Sequence, residues 1–179
     1  MFVDVIAFDC FGTVFDASEL PVESIQAYVK HVIANPTAAS KFDFGAEWYE
    51  LPAHKDSAAG IKKLRGNGYK CVALSNGPPE LIRQLSDKAG IEWDAIIDLA
   101  KHNVYKPYSE AYKIVEKETG VKPQFCLMVT ANPTFGDIEG AKSIGMNAQV
   151  IRADGAGNIL DLAETLRVRN PKKRKYDRG

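Results

Sequence analysis

The stretch VDVIAFDCFGTVFD, residues 3–16, decides how the rest of the chain is read. Its first six residues form a short apolar run rich in β-branched side chains, the pattern of a buried strand. Asp9 follows at once, then Cys10, Phe11 and a Gly12–Thr13 pair. Four more such runs come later: KCVAL at 70–74, AIID at 95–98 (the weakest), FCLMV at 125–129 and NAQVI at 147–151. Helical patterns fall between them. Residues 57–65 start with Ser57 as a cap, place Ile61 and Leu64 on one face and stop at Gly66. Residues 79–88 start with a proline suited to a first turn and end before Gly90. Residues 109–118 end at Gly120, 138–144 end at Gly145, and 158–166 close the pattern. Strands alternating with helices predict an α/β protein with a Rossmann-like parallel sheet sandwiched between helices.

Residues 15–56 interrupt the alternation. A helix is expected from Pro21, with Ile25, Val29, Val32 and Ile33 along one side, and then KFDFGAEWYELPAH sets aromatics among turn residues. This reads as a short cap-like insertion over the sheet edge, leaving residues 1–14 and 57–170 as the core. Its shortness predicts that it covers the site incompletely. Residues 171–179 have no apolar periodicity and read as a disordered basic tail whose deletion leaves the melting temperature nearly unchanged.

A length of 179 residues suits one core with a small insertion. No apolar run approaches the roughly 20 residues needed to span a bilayer, so no membrane partner is expected. The N-terminus has no basic region or apolar stretch of signal-peptide type. The three cysteines, Cys10, Cys71 and Cys126, form no CxxC pair and sit in or beside apolar runs. They read as buried thiols in a reducing, cytoplasmic compartment. The formal net charge is zero, but residues 167–179 carry seven basic residues and one acid, leaving the other 166 at −6. An acidic body argues against nucleic acid as the main ligand. The basic tail is the one segment that could contact nucleic acid or an acidic surface.

Ligands of parallel α/β sheets bind beyond the carboxyl ends of the strands. Those ends carry Asp9 after the first strand, Ser75-Asn76-Gly77 after the second, and Lys106-Pro107 beyond the third. Thr130-Ala131-Asn132 follows the fourth, with Asp137 further on. These groups meet on one edge if the first strand is central and flanked by the second and fourth.

Together these segments resemble the haloacid dehalogenase superfamily. FDCFGTVFD is similar to its first motif, in which an Asp at the strand end is the nucleophile. LSNG is similar to the second motif, YKPYSEAY to the third and VTANPTFGDIEGAKSIGM to the fourth. The resemblance implies hydrolysis of a small molecule through an aspartyl intermediate on Asp9, with Thr13, Ser75, Lys106 and Asp137 as catalytic residues. A positioned, ionised carboxylate suits nucleophilic attack, and Lys106 can hold Asp9 as an anion. Backbone N–H groups beyond Phe11 and after Pro79 are candidates for binding an anion.

Phe11 stands where the superfamily's phosphatases usually carry a second Asp that protonates the leaving alcohol. A halide needs no proton. The aromatic therefore resembles the L-2-haloacid dehalogenase branch, as do LSNG, Tyr112 and Asn132. Cys10, Phe11, Asn76, Tyr112 and Asn132 are then candidates for substrate binding, with no cofactor expected. Three features pull away. The dehalogenases grip the halide with an arginine from the insertion, and no Arg precedes Arg65 here. Only His31, His54, Lys30, Lys41 and Lys55 could replace it from the insertion. The insertion is also short. Finally, Asp137 lies where a phosphatase acid helps hold Mg²⁺, and Asp9, Asp137 and the Phe11 carbonyl could form an oxygen-rich metal site. The alternatives are a Mg²⁺-dependent phosphatase and a catalytically degenerate binding protein on the same fold.

Overall fold

The computed structural model describes residues 2–35, 41–153 and 155–167. The tail expectations lie outside the described residues. The strands are β1 (Val5–Phe8), β2 (Lys70–Ala73), β3 (Ala95–Ile96), β4 (Cys126–Thr130) and β5 (Asn147–Val150). They form one five-stranded parallel sheet in the order β3-β2-β1-β4-β5. Phe8 pairs with Ala73 on one side and Val129 on the other. Asp9 therefore leaves the sheet at its centre, level with Leu74–Ser75 and Thr130.

Alternation along β1 builds a core on each face. Ile6 and Phe8 join Ile61, Leu64, Leu81 and Leu85, from α2 (Ser57–Gly66) and α3 (Pro79–Ala89). Val5 and Ala7 face Tyr112, Val115 and Ala141, from α4 (Ser109–Thr119) and α5 (Asp137–Ser143). All three cysteines are free and buried, and burial first of all raises the thiols of Cys71 and Cys126 to about 12. The final helix, α6 (Ile159–Thr165), opens on a reciprocal cap between Asn158 and Asp161. Among the described residues, no helix is long and apolar enough to cross a membrane.

The interrupting segment leaves and re-enters the core at one point. Phe15 bridges Ala53, Asp16 N–H donates to Pro52 O at 2.7 Å, and His54 N–H donates to Val14 O at 3.0 Å. Its helix, α1, is Val22–Ala34. Ser57 is not the cap of α2. Its hydroxyl donates instead to Val14 O at 2.7 Å, tying that helix to the turn after β1.

Arg152 ties a third element to the same turn. Its Nε donates to Thr13 O at 2.9 Å, and its Nη1 and Nη2 reach Asp56 Oδ1 and Oδ2 at 2.9 and 3.0 Å. Burial raises the Asp56 carboxyl, but Arg152 and the Ile159 N–H outweigh it and hold it below the usual range. Replacing Arg152 leaves a buried carboxylate with little compensation. Arg152→Met is expected to cost about 3 kcal/mol at neutral pH in a denaturant melt. A carboxyl depressed on folding stabilises the protein above its unfolded pKa and loses that contribution as pH falls. The gap between wild type and variant should therefore narrow below pH of about 4.

Candidate active site

The turn after β1 places the nucleophile candidate. Cys10 O accepts N–H bonds from Thr13, Val14 and Phe15 at 2.9–3.2 Å, and Gly12 takes a φ of 83° that a side chain would resist. A Cβ on Gly12 would also lie 3.1 Å from Asn132 Nδ2. This curl aims Thr13 Oγ1 at Asp9 Oδ2, to which it donates at 2.8 Å. The Gly12 and Thr13 N–H groups are consumed by Phe15 O and Cys10 O, so they form no anion site as the sequence suggested.

Each Asp9 oxygen has its own donors. Lys106 Nζ lies 2.8 Å from Oδ1. Asn132 Nδ2 lies 2.9 Å from Oδ2, with Thr130 Oγ1 at 3.5 Å. Asn132 also donates to the Phe11 carbonyl at 2.8 Å. Because both neighbours can only accept, the amide nitrogen must be the atom that faces them. Behind Lys106 stands Asp137, 3.2 Å from Nζ, and Tyr112 Oη donates to Asp137 Oδ1 at 2.6 Å. Burial works against the Lys106 charge, but Asp137 and Asp9 outweigh it and keep the ammonium protonated well above its ordinary range. Burial likewise raises the Asp137 carboxyl, opposed by Lys106. Gly140 lets α4 and α5 approach closely, since a Cβ there would sit 2.7 Å from Tyr112 Cζ.

These groups open onto a cavity of about 470 Å³ lined by Asp9, Phe11, Ser75, Asn76, Lys106, Asn132 and Asp137. Its remaining wall is largely apolar: Ala17, Leu20, Ile25, Val29, Val32 and Ile33 of the insertion, with Trp48 and Phe135. Beneath the insertion Asp9 is only 9% exposed. The cause is packing. Phe11, Tyr28, Phe42, Phe44 and Trp48 form one aromatic cluster, with Phe11 and Trp48 centroids 4.8 Å apart, that holds α1 over the strand ends.

Two substrate-binding expectations need correction. Cys10 is fully buried, and its thiol lies against Phe8 O within the core. Tyr112 is fully buried too and does not line the cavity, because its face of α4 packs on the sheet and its hydroxyl stops at Asp137. None of His31, His54, Lys30, Lys41 or Lys55 lines the cavity. His54 instead meets Gly12 O at 3.1 Å. Tyr28 escaped the sequence reading. Tyr28 lies three residues after Ile25 on the very stripe that marked the helix, a spacing that could have flagged it.

The donor set does not fit Mg²⁺. The Asp9 and Phe11 oxygens that would have to converge on a cation converge on the Asn132 amide nitrogen. The third candidate ligand, Asp137, is bound to Tyr112 and Lys106. Among the described residues, no cluster of His, Cys, Asp and Glu offers another site.

Residues 30–145 match the profile of a hydrolase family, the haloacid dehalogenase-like hydrolases. The chain belongs to that family. The (S)-2-haloacid dehalogenase of Xanthobacter autotrophicus is 33% identical over 113 residues, covering 62% of this chain and 43% of that protein. Haloacetate dehalogenase H-2 of Moraxella sp. is 30% identical over 101 residues, 55% of this chain and 44% of that protein. The chain thus spans less than half the length of these curated relatives. The fold is shared with a defluorinating L-2-haloacid dehalogenase at a TM-score of 0.77 and 23% identity, covering 92% of this chain and 95% of that one. It is also shared with the L-2-haloacid dehalogenase of Xanthobacter autotrophicus bearing covalently bound chloropropionic acid. That TM-score is 0.71 at 22% identity, covering 96% of this chain and 91% of that one.

Proposed function

We propose that this chain hydrolyses a carbon–halogen bond in a small molecule through an ester on Asp9. The observation that carries this reading is the Asn132 amide between Asp9 Oδ2 and the Phe11 carbonyl. It braces the nucleophile where a phosphoryl-transfer site would require a cation. Phe11, in turn, offers no proton to an alkoxide leaving group. The relatives named as haloacid dehalogenases support the same reading.

Asp9 attacks carbon, and the halide departs with the bonding electrons. Lys106, Thr13 and Asn132 orient Asp9 through their contacts with its two oxygens. Ser75, whose oxygen accepts the Gly77 N–H at 3.0 Å, lines the cavity beside Asp9 and is placed to contact the substrate. Water then attacks the aspartyl carbonyl. Asp137 lines the cavity with a raised pKa suited to accepting that water's proton, and Tyr112 fixes its orientation. Residues 15–56 act as a reduced cap whose aliphatic wall favours an apolar substituent on the substrate.

The test is a panel of 2-haloalkanoates of rising chain length beside phosphoesters, each with Mg²⁺ or a chelator. Haloalkanoate turnover should be unchanged by the chelator. KM should fall about fourfold per buried methylene, the equivalent of roughly 0.8 kcal/mol each. Turnover of phosphoesters alone, or activity lost to the chelator, would overturn the proposal.

A further inference from the structure

A departing halide gains from a hydrogen-bond donor, yet the insertion has no arginine and the polar side chains at the strand ends are largely committed. Asn76 is fully used. Its Oδ1 accepts the Lys106 N–H at 2.8 Å, and its Nδ2 donates to Lys106 O at 3.0 Å and to Tyr28 Oη at 2.9 Å. A carboxamide has no third hydrogen to offer. Lys106 Nζ faces Asp9 and Asp137, and the Thr13 hydroxyl is given to Asp9.

Tyr28 differs from all of these. It projects from α1 into the cavity that contains Asp9, and its oxygen accepts from Asn76. Its own hydrogen meets no acceptor among the described residues. Its ring is held by Phe42, Phe44 and Trp48, with centroids 5.6–5.8 Å away.

We propose that Tyr28 is a halide-binding donor of this site, its hydroxyl braced by Asn76 and turned toward the halogen of the bound substrate. The inference rests on the carbon–halogen reading above. In-line displacement drives the halide away from Asp9. Asp9 rises from the sheet edge, and α1 lies across that edge, so the leaving group faces the insertion. As the Asp9 oxygen bonds to carbon, the carbon–halogen electron pair leaves with the halide, which accepts a hydrogen bond from Tyr28. No proton is transferred. Burial first of all keeps the phenol protonated, opposed by Lys106 and Asn76. The apolar surroundings strengthen a hydrogen bond to an anion.

Tyr28→Phe keeps the ring and removes only the hydroxyl. With a 2-chloroalkanoate, kcat/KM should fall roughly 10- to 100-fold, the usual range for losing a hydrogen bond to a charged group. With the iodo analogue the fall should be smaller, because iodide accepts hydrogen bonds weakly and leaves readily. Chloride binding to the resting protein, read from chloride NMR line broadening, should weaken at least about tenfold on the same reasoning. Equal losses for chloro and iodo substrates overturn the proposal, whatever the melting temperature does, since a merely structural role lowers both alike. If the wild type turns over no haloalkanoate, the functional reading fails, and the chloride measurement alone decides this inference. Saturable binding that weakens in the variant upholds the halide site. Absent or unchanged binding removes it.

Discussion

Asp9→Asn should reduce turnover by on the order of 10⁴-fold or more, the scale seen when a covalent nucleophile is removed. An amide cannot form the ester. It also clashes with its surroundings, because Asp9 Oδ1 faces the Lys106 ammonium and Oδ2 faces donors from Thr13 and Asn132. Whichever way the substituted amide turns, its NH₂ meets another donor, so a loss of about 1–3 kcal/mol in stability should accompany the lost activity. Isotope labelling separates chemistry from folding. In the proposed sequence the first product takes its new oxygen from Asp9, and water replaces that oxygen during ester hydrolysis. One turnover of the wild type in heavy-oxygen water should therefore put the label in the peptide containing Asp9 and leave the product unlabelled. A labelled product with an unlabelled peptide would mean that water attacks the substrate directly. That result, or full activity in Asp9→Asn, would sink the covalent reading.

The sheet and the polar end of the site were legible because both depend on local signals. A buried parallel strand must be a short apolar run, and the residues just after it must lie at the carboxyl edge. Asp9, Ser75 and Asn132 come to the cavity that way, and Lys106 reaches it from the loop beyond the third strand. What the sequence hid was side-chain commitment. Nothing local shows that Asn76 spends both its hydrogens on Lys106 O and Tyr28, because those partners lie 30 and 48 residues away. Ser57 looked like a cap by type and position, yet the Val14 carbonyl claims its hydroxyl. Arg152 gave no signal either, being one arginine in a loop, although it joins Thr13 O to Asp56. How the cap is held down was hidden for a related reason. Segment length was the visible quantity, but coverage depends on how tightly Phe11 and Trp48 draw the segment down.

Lys106→Met should be the most damaging change outside Asp9. Its ammonium stands between two carboxylates, 2.8 Å from Asp9 and 3.2 Å from Asp137, with 8% of the side chain exposed. Removing one partner of such a group leaves uncompensated buried charge, at a typical cost of about 3–5 kcal/mol. The catalytic loss should be about 10²- to 10³-fold or more, the scale for deleting one preorganised electrostatic contact. The pH dependence identifies the cause. Burial already raises the Asp137 carboxyl, and Lys106 is the main influence pulling it down. Without the lysine, Asp137 should retain its proton to higher pH. An acid whose pKa is raised on folding stabilises the protein at low pH, and that contribution is lost as pH climbs through the folded value. The variant should therefore be most destabilised at neutral and alkaline pH and approach the wild type below about pH 4, where unfolded carboxyls also become protonated. Its residual activity should decline at low pH in step with protonation of Asp137, with a midpoint higher than in the wild type. A stability deficit that stayed constant from acid to alkaline pH would mean that Lys106 contributes packing, and its charge would then have no part in holding Asp9 ready.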